Sequence, residues 1–255
     1  MLTQILIICP IVFLAGFIDS IAGGGGLISL PAYSIILKSP MTLVFGTNKF
    51  SSVWGTLISS IKFIKSKNIH VESAATAAIF SLIGSKLGSV TALSVSNEFL
   101  KISLLIAVPA VAIFTLLKKD FGDQKTFYMP LIKIIFTTII FSFFIGFYDG
   151  FFGPGAGTFF VLAFTTLTGF DMTKATGNAK IANLASNVSA CQTYIFSGNV
   201  AYQLAVPAAF CSILGNYIGS NLAIKNGKKI IKPVFIIVLS LLLITVALQL
   251  AGFSF

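Results

Sequence analysis

An aspartate followed closely by a run of glycines, set inside strongly apolar sequence, occurs twice in this chain at corresponding places. Gly16-Phe17-Ile18-Asp19 leads into Gly23-Gly24-Gly25-Gly26, and 130 residues later Gly146-Phe147-Tyr148-Asp149 leads into Gly153-Pro154-Gly155-Ala156-Gly157. Glycine interrupts a helix, and a buried carboxylate is expensive in lipid. Each copy therefore marks a broken apolar segment that needs partners elsewhere in the chain. Broken segments paired between two halves are the pattern of a secondary transporter, with its ligand site at the breaks.

The sequence around the motifs sets the fold class. Of 255 residues, 56% are hydrophobic and 9% charged, where a soluble domain carries about 25% charged residues. An all-α, polytopic membrane protein follows. Ten apolar segments stand out, at 3–22, 27–37, 43–64, 73–95, 100–117, 131–149, 158–170, 174–197, 200–224 and 230–252. Eight are long enough to cross a bilayer. The second and seventh rise only about 16 and 20 Å as helix, short of the roughly 30 Å of hydrocarbon. Both directly follow a glycine break, so they read as half-helices or re-entrant segments facing protein or a wet cavity.

The duplication reaches well beyond the glycines. At a spacing of 131, Gly46 matches Gly177, Lys49 matches Lys180, Asn68 matches Asn199, Gly84 matches Gly215 and Gly88 matches Gly219. Two repeats of about five segments result, 1–117 and 131–255, joined by a polar stretch at 118–130. Charge then orients them. Of 17 lysines, eleven lie in the connections at 62–72, 118–130, 171–174 and 225–232, while the opposite connections hold Lys38 and Lys101. The positive-inside bias puts both termini outside an inner (plasma) membrane, and an odd number of segments per half makes the repeats inverted. With the lysines spent on short loops, the net charge of +10 points to topology and not to a nucleic-acid partner.

Several residues are candidates for chemistry. Asp19 and Asp149 suit a coupling proton or cation, since burial disfavours a charged carboxylate; they equally suit capping the free N–H groups of the glycine turns. Gly24, Gly25 and Gly155 would turn backbone N–H groups toward an oxyanion at the start of a short helix. Lys49 and Lys180 lie inside apolar segments. On a helix Lys49, Ser52 and Thr56 share one face, and Lys180, Asn183 and Asn187 share the matching face. Such a face is half of a small-anion site, with Asn48 and Asn178 as further donors; the alternative is an ion pair between these lysines and the aspartates. Trp54 is either lipid-facing or a pocket wall, and His70 is assigned to a solvated loop. Cys9, Cys191 and Cys211 read as buried small hydrophobes without metal spacing. No zinc spacing, Walker loop or nucleophile elbow occurs, so neither a cofactor nor an enzyme is expected.

These residues resemble the sulfite exporter TauE/SafE family. The likeness rests on the two Asp–glycine motifs, on Gly46-Thr47-Asn48-Lys49, and on Ala179-Lys180 followed by Asn183-Leu184 and Ser186-Asn187, and it runs in order over nearly the whole chain. It implies a multi-spanning permease moving sulfite, sulfonates or related organic anions. The expected partners are then a small anion, the bilayer and a coupling proton or cation, with a homo-oligomer left open. Two other readings remain: a carrier with Asp19 and Asp149 as its cation or proton site, and a non-transporting membrane subunit.

Overall fold

A computed structural model describes residues 1–103, 129–231 and 233–234. Its helices are α1 (Leu2–Ala22), α2 (Gly26–Leu37), α3 (Met41–Lys65), α4 (Val71–Ser94), α5 (Leu131–Phe151), α6 (Ala156–Thr168), α7 (Met172–Phe196) and α8 (Tyr202–Asn226). Each falls within two residues of an apolar segment read from sequence. The fifth and tenth segments and the linker at 118–130 lie almost wholly outside the described residues.

Among the described residues three helices, α1, α4 and α5, are long and apolar enough to cross a membrane, and the chain is an all-α, multi-pass membrane protein. The 25-residue helices α3, α7 and α8 reach about 37 Å but are less apolar, because each carries polar residues on its inner face. Burial is inverted relative to a soluble protein. Ser81, Ser85, Ser89, Ser186 and Ser220 are buried, while Ile132, Phe136, Phe144 and Phe210 are exposed. Lipid takes the large apolar side chains, and the small and polar ones hold the helices together.

Small residues set the helix contacts. Gly84 and Gly88 of α4 lie against the backbone at Phe143 and Phe147 of α5; Gly215 and Gly219 of α8 lie against Phe13 and Phe17 of α1. In both pairs the residue numbers rise together, so the helices run parallel. Between α3 and α7 the order reverses. Gly46 touches the carbonyl of Asn199 just past the end of α7, and Gly177 touches the carbonyl of Asn68 just past the end of α3. These two helices are antiparallel.

The loops are clamped across the same contact. Asn178 Oδ1 accepts from the His70 N–H at 3.1 Å, and Thr47 Oγ1 accepts from the Ala201 N–H at 3.0 Å. Asn178 is thus occupied with a loop and not with the central cavity. His70 is not simply solvated either. Its Nδ1 accepts from the Ser73 N–H at 3.4 Å at the start of α4, and its ring packs tilted against that of Phe170, with centroids 5.2 Å apart.

The first glycine break is held by the second. Gly23 ends α1 in the left-handed region at φ 82°, and a Cβ there would overlap the Gly157 backbone, so only glycine fits. Carbonyls released at the end of α1 find donors on α6: the Thr158 N–H reaches Gly23 O at 3.1 Å and its hydroxyl reaches Ala22 O at 3.0 Å. Backbone polar groups freed in the membrane interior are in this way satisfied by protein.

Candidate functional site

The centre of the molecule holds four charged side chains, and each lysine pairs with the aspartate of the other sequence half. Lys49 on α3 donates to Asp149 Oδ1 on α5 at 2.7 Å. Lys180 on α7 donates to Asp19 Oδ2 on α1 at 2.8 Å. Two cations and two anions leave the cluster neutral. An isolated charge is prohibitive in such a place, so the pairing is what permits all four to be buried.

The two pairs differ in their surroundings. Both oxygens of Asp149 are fully engaged, Oδ1 by Lys49 and Oδ2 by Asn183 Nδ2 at 3.2 Å together with the Ser186 hydroxyl. Lys49 donates a second bond to Asn187 Oδ1 at 2.8 Å. Asn187 Nδ2 in turn reaches Asn183 Oδ1 at 3.3 Å and Thr56 Oγ1 at 3.5 Å. Asp19 has a sparser set. Lys180 bonds its Oδ2 and also its main-chain carbonyl, leaving Oδ1 among the described residues only a long contact of 3.4 Å from the Gly25 N–H. Side-chain exposure follows suit: 16% for Asp19 against 2% for Asp149.

A cavity of about 40 Å³ adjoins Asp19, room for roughly three water molecules. Helix α1 contributes Gly16 and Asp19, the first break Gly23, Gly25 and Gly26, and α2 Ser29. From α3 come Asn48, Lys49 and Ser52, from α7 Asn183 and Asn187, and from α8 Ser212 and Asn216; Asp149, Gly153 and Gly157 close the far side. Of the residues singled out in the sequence, Lys49, Asn48, Ser52, Asn183, Asn187, Gly25, Asp19 and Asp149 therefore meet at one place. Lys180 stands behind Asp19, wholly buried and off the cavity wall, and Gly24 and Gly155 also lie off it. Trp54 sits on the outer surface, 44% exposed, in an apolar groove with Phe50, Val206 and Phe210.

Three wall residues went unread in the sequence. Ser29 donates to Asn48 Oδ1 at 2.6 Å. Ser212 and Asn216 lie one turn apart on α8, and Asn216 Nδ2 donates to Ser212 O at 3.0 Å. Asn216 Oδ1 is buried with no hydrogen-bond partner among the described residues. The signal was present: both flank Gly215 in a stretch read only as a packing motif.

The profile described as "Sulfite exporter TauE/SafE" matches residues 8–246. The chain belongs to the sulfite exporter TauE/SafE family. Among its relatives in this TauE/SafE family is a "probable membrane transporter protein" (ORF9) of Sinorhizobium sp., 38% identical over 89% of this chain and 85% of the relative. Another is the "probable membrane transporter protein YfcA" of Escherichia coli strain K12, 34% identical over 89% of this chain and 84% of the relative. A third, "probable membrane transporter protein YunE" of Bacillus subtilis, is 25% identical over 93% of each chain. No solved structure matches. As a member of the TauE/SafE family, the chain is a membrane transport protein and not an enzyme.

Proposed function

We propose that this chain is a secondary transporter of small anions, sulfite or a related sulfonate or organic anion, working by alternating access in the inner (plasma) membrane. The observation carrying this reading is the position of Lys49: a buried ammonium on the wall of the central cavity, flanked by Asn48, Ser52, Asn183 and Asn187. An ammonium with amide and hydroxyl groups around it suits an oxyanion that shares the cation with Asp149. The cavity's few-atom size favours a compact anion such as sulfite; a longer sulfonate would need the walls to part. The family's description as sulfite exporter supports an outward direction.

The halves 1–117 and 131–255 are inverted repeats in this proposal. Support comes from α3 and α7, matched in sequence and antiparallel in contact, and from the crossed ion pairs. Alternating access would then exchange the environments of two related half-sites, Lys49 with Asp149 and Lys180 with Asp19. The other reading, a proton- or cation-coupled carrier with the aspartates as its ion site, draws on the fact that each lysine is already neutralised.

The test is flux in proteoliposomes over a panel of sulfite, sulfonates and carboxylates. Lys49→Gln and Lys180→Gln chains that remain monodisperse should each lose at least about tenfold in anion flux, the effect of removing about 1.4 kcal/mol of binding. Full flux in both variants would overturn the site assignment.

A further inference from the structure

We infer that an anion enters this site together with one proton, and that the proton is held by Asp19 and not by Asp149. The inference rests on the anion reading above and adds to it the chemistry of coupling.

Charge balance demands a companion for the anion. Lys49, Lys180, Asp19 and Asp149 sum to zero, so a bare anion placed beside them would leave one uncompensated negative charge in a buried site. Taking up a proton on one carboxylate turns the cluster to +1, and the arriving anion returns it to neutrality. No second cation needs to fit: an ion at Asp19 would sit against the Lys180 ammonium, 2.8 Å from the same carboxylate.

Geometry chooses between the aspartates. Asp149 is surrounded by donors, with Lys49, Asn183 and Ser186 all giving hydrogen bonds to its two oxygens. A proton on Asp149 would set an O–H against donors that now use its oxygens as acceptors. Asp19 is more open and has fewer donors. Its side chain is 16% exposed against 2% for Asp149, and among the described residues its Oδ1 has one long contact, to the Gly25 N–H at 3.4 Å. Neutralising it does not strand Lys180, whose ammonium keeps its bond to the Asp19 main-chain carbonyl. The charged groups facing Asp19 among the described residues are Lys180 on α7, and Lys49 and Asp149 across the cavity from α3 and α5. Helices α2, α6 and α8 offer the cavity no titratable side chain. The same wall carries the unpartnered Asn216 Oδ1, a buried acceptor that gains from any O–H the cavity acquires.

The step balances simply. A hydronium ion on the open side passes its extra proton to Asp19 Oδ1 and leaves as water, Lys180 keeps all three of its protons, and the positive charge of Lys180 that Asp19 no longer balances is met by the anion, while Lys49 stays paired with Asp149. Release of anion and proton on the other side restores the Asp19–Lys180 pair.

Binding to the purified, detergent-solubilised full chain tests this, with methanesulfonate and ethanesulfonate as probes, because both stay singly charged near neutral pH and any proton taken up belongs to the protein. In weakly buffered solution with an indicator dye, one proton should disappear per anion bound. The Kd should weaken about tenfold for each pH unit of rise above the range where Asp19 is protonated. Asp19→Asn should flatten that dependence, as should Asp19→Ser if the first variant folds poorly. Anion binding without proton uptake, or a slope that survives in a folded Asp19 variant, overturns the coupling while leaving anion transport standing. Failure of both probes to bind at any pH overturns it too, and if sulfite also fails the anion reading falls with it.

Discussion

At the scale of residues, Asp149 and Lys49 form a lock whose two halves depend on each other. Asp149→Ala would leave the Lys49 ammonium buried without a counter-charge, at a cost of about 3–5 kcal/mol, whereas replacing both members by apolar side chains removes the charge and the need for it together. Asp149→Ala should therefore lower the thermal unfolding temperature in detergent sharply, and the Lys49→Met/Asp149→Leu double variant should recover most of the loss. A double variant no more stable than the single one would show that the pair is not the source of the effect. Sequence pointed to all four charged residues, because a charge inside an apolar run has to be explained. It left open which partner each would take. Lys49 and Asp149 are 100 residues apart, and Lys180 and Asp19 are 161 apart; nothing local in the chain links them.

The glycines show their differences at the scale of helices. At Gly46 and Gly177 an added methyl meets a backbone carbonyl of the facing loop, which cannot move without carrying its helix. Overpacking of that kind costs about 1–3 kcal/mol. Gly26 has only ordinary contacts, the nearest at 3.5 Å. Gly46→Ala and Gly177→Ala should each reduce the unfolding temperature clearly more than Gly26→Ala, measured side by side in the same detergent; equal losses would put the α3–α7 contact in doubt. Helix positions were legible in the sequence to within two residues because apolar runs and glycine breaks are local signals. The role of Asn178 was not. Its true counterpart at the spacing of 131 is Thr47, not Asn48, and both clamp a loop of the facing half. Residue type differs at the matched positions, so the shared task is visible only once the loops are in place.

For the whole molecule, the antiparallel run of α3 and α7 puts the loop before α4 and the loop before α8 on opposite sides of the membrane, if the repeats are inverted. On a background free of Cys9, Cys191 and Cys211, a membrane-impermeant thiol reagent should label Ser197→Cys from outside cells and Glu72→Cys only after the inner face is opened; labelling of both from one side would refute the inversion. The sequence by itself determined that the chain is helical, crosses the membrane many times, repeats an Asp–glycine motif and carries two lysines and two aspartates where lipid forbids loose charge. Those conclusions depend on composition, run length and spacing, which neighbouring residues encode. Only the tertiary structure decided that Lys49 pairs with Asp149 and Lys180 with Asp19, that Asp149 takes three side-chain donors while Asp19 takes fewer and is more exposed, and that Ser29, Ser212 and Asn216 share the cavity wall with both. Burial in that centre comes from five or more helices converging, and a convergence of distant segments leaves no periodic mark in any one of them.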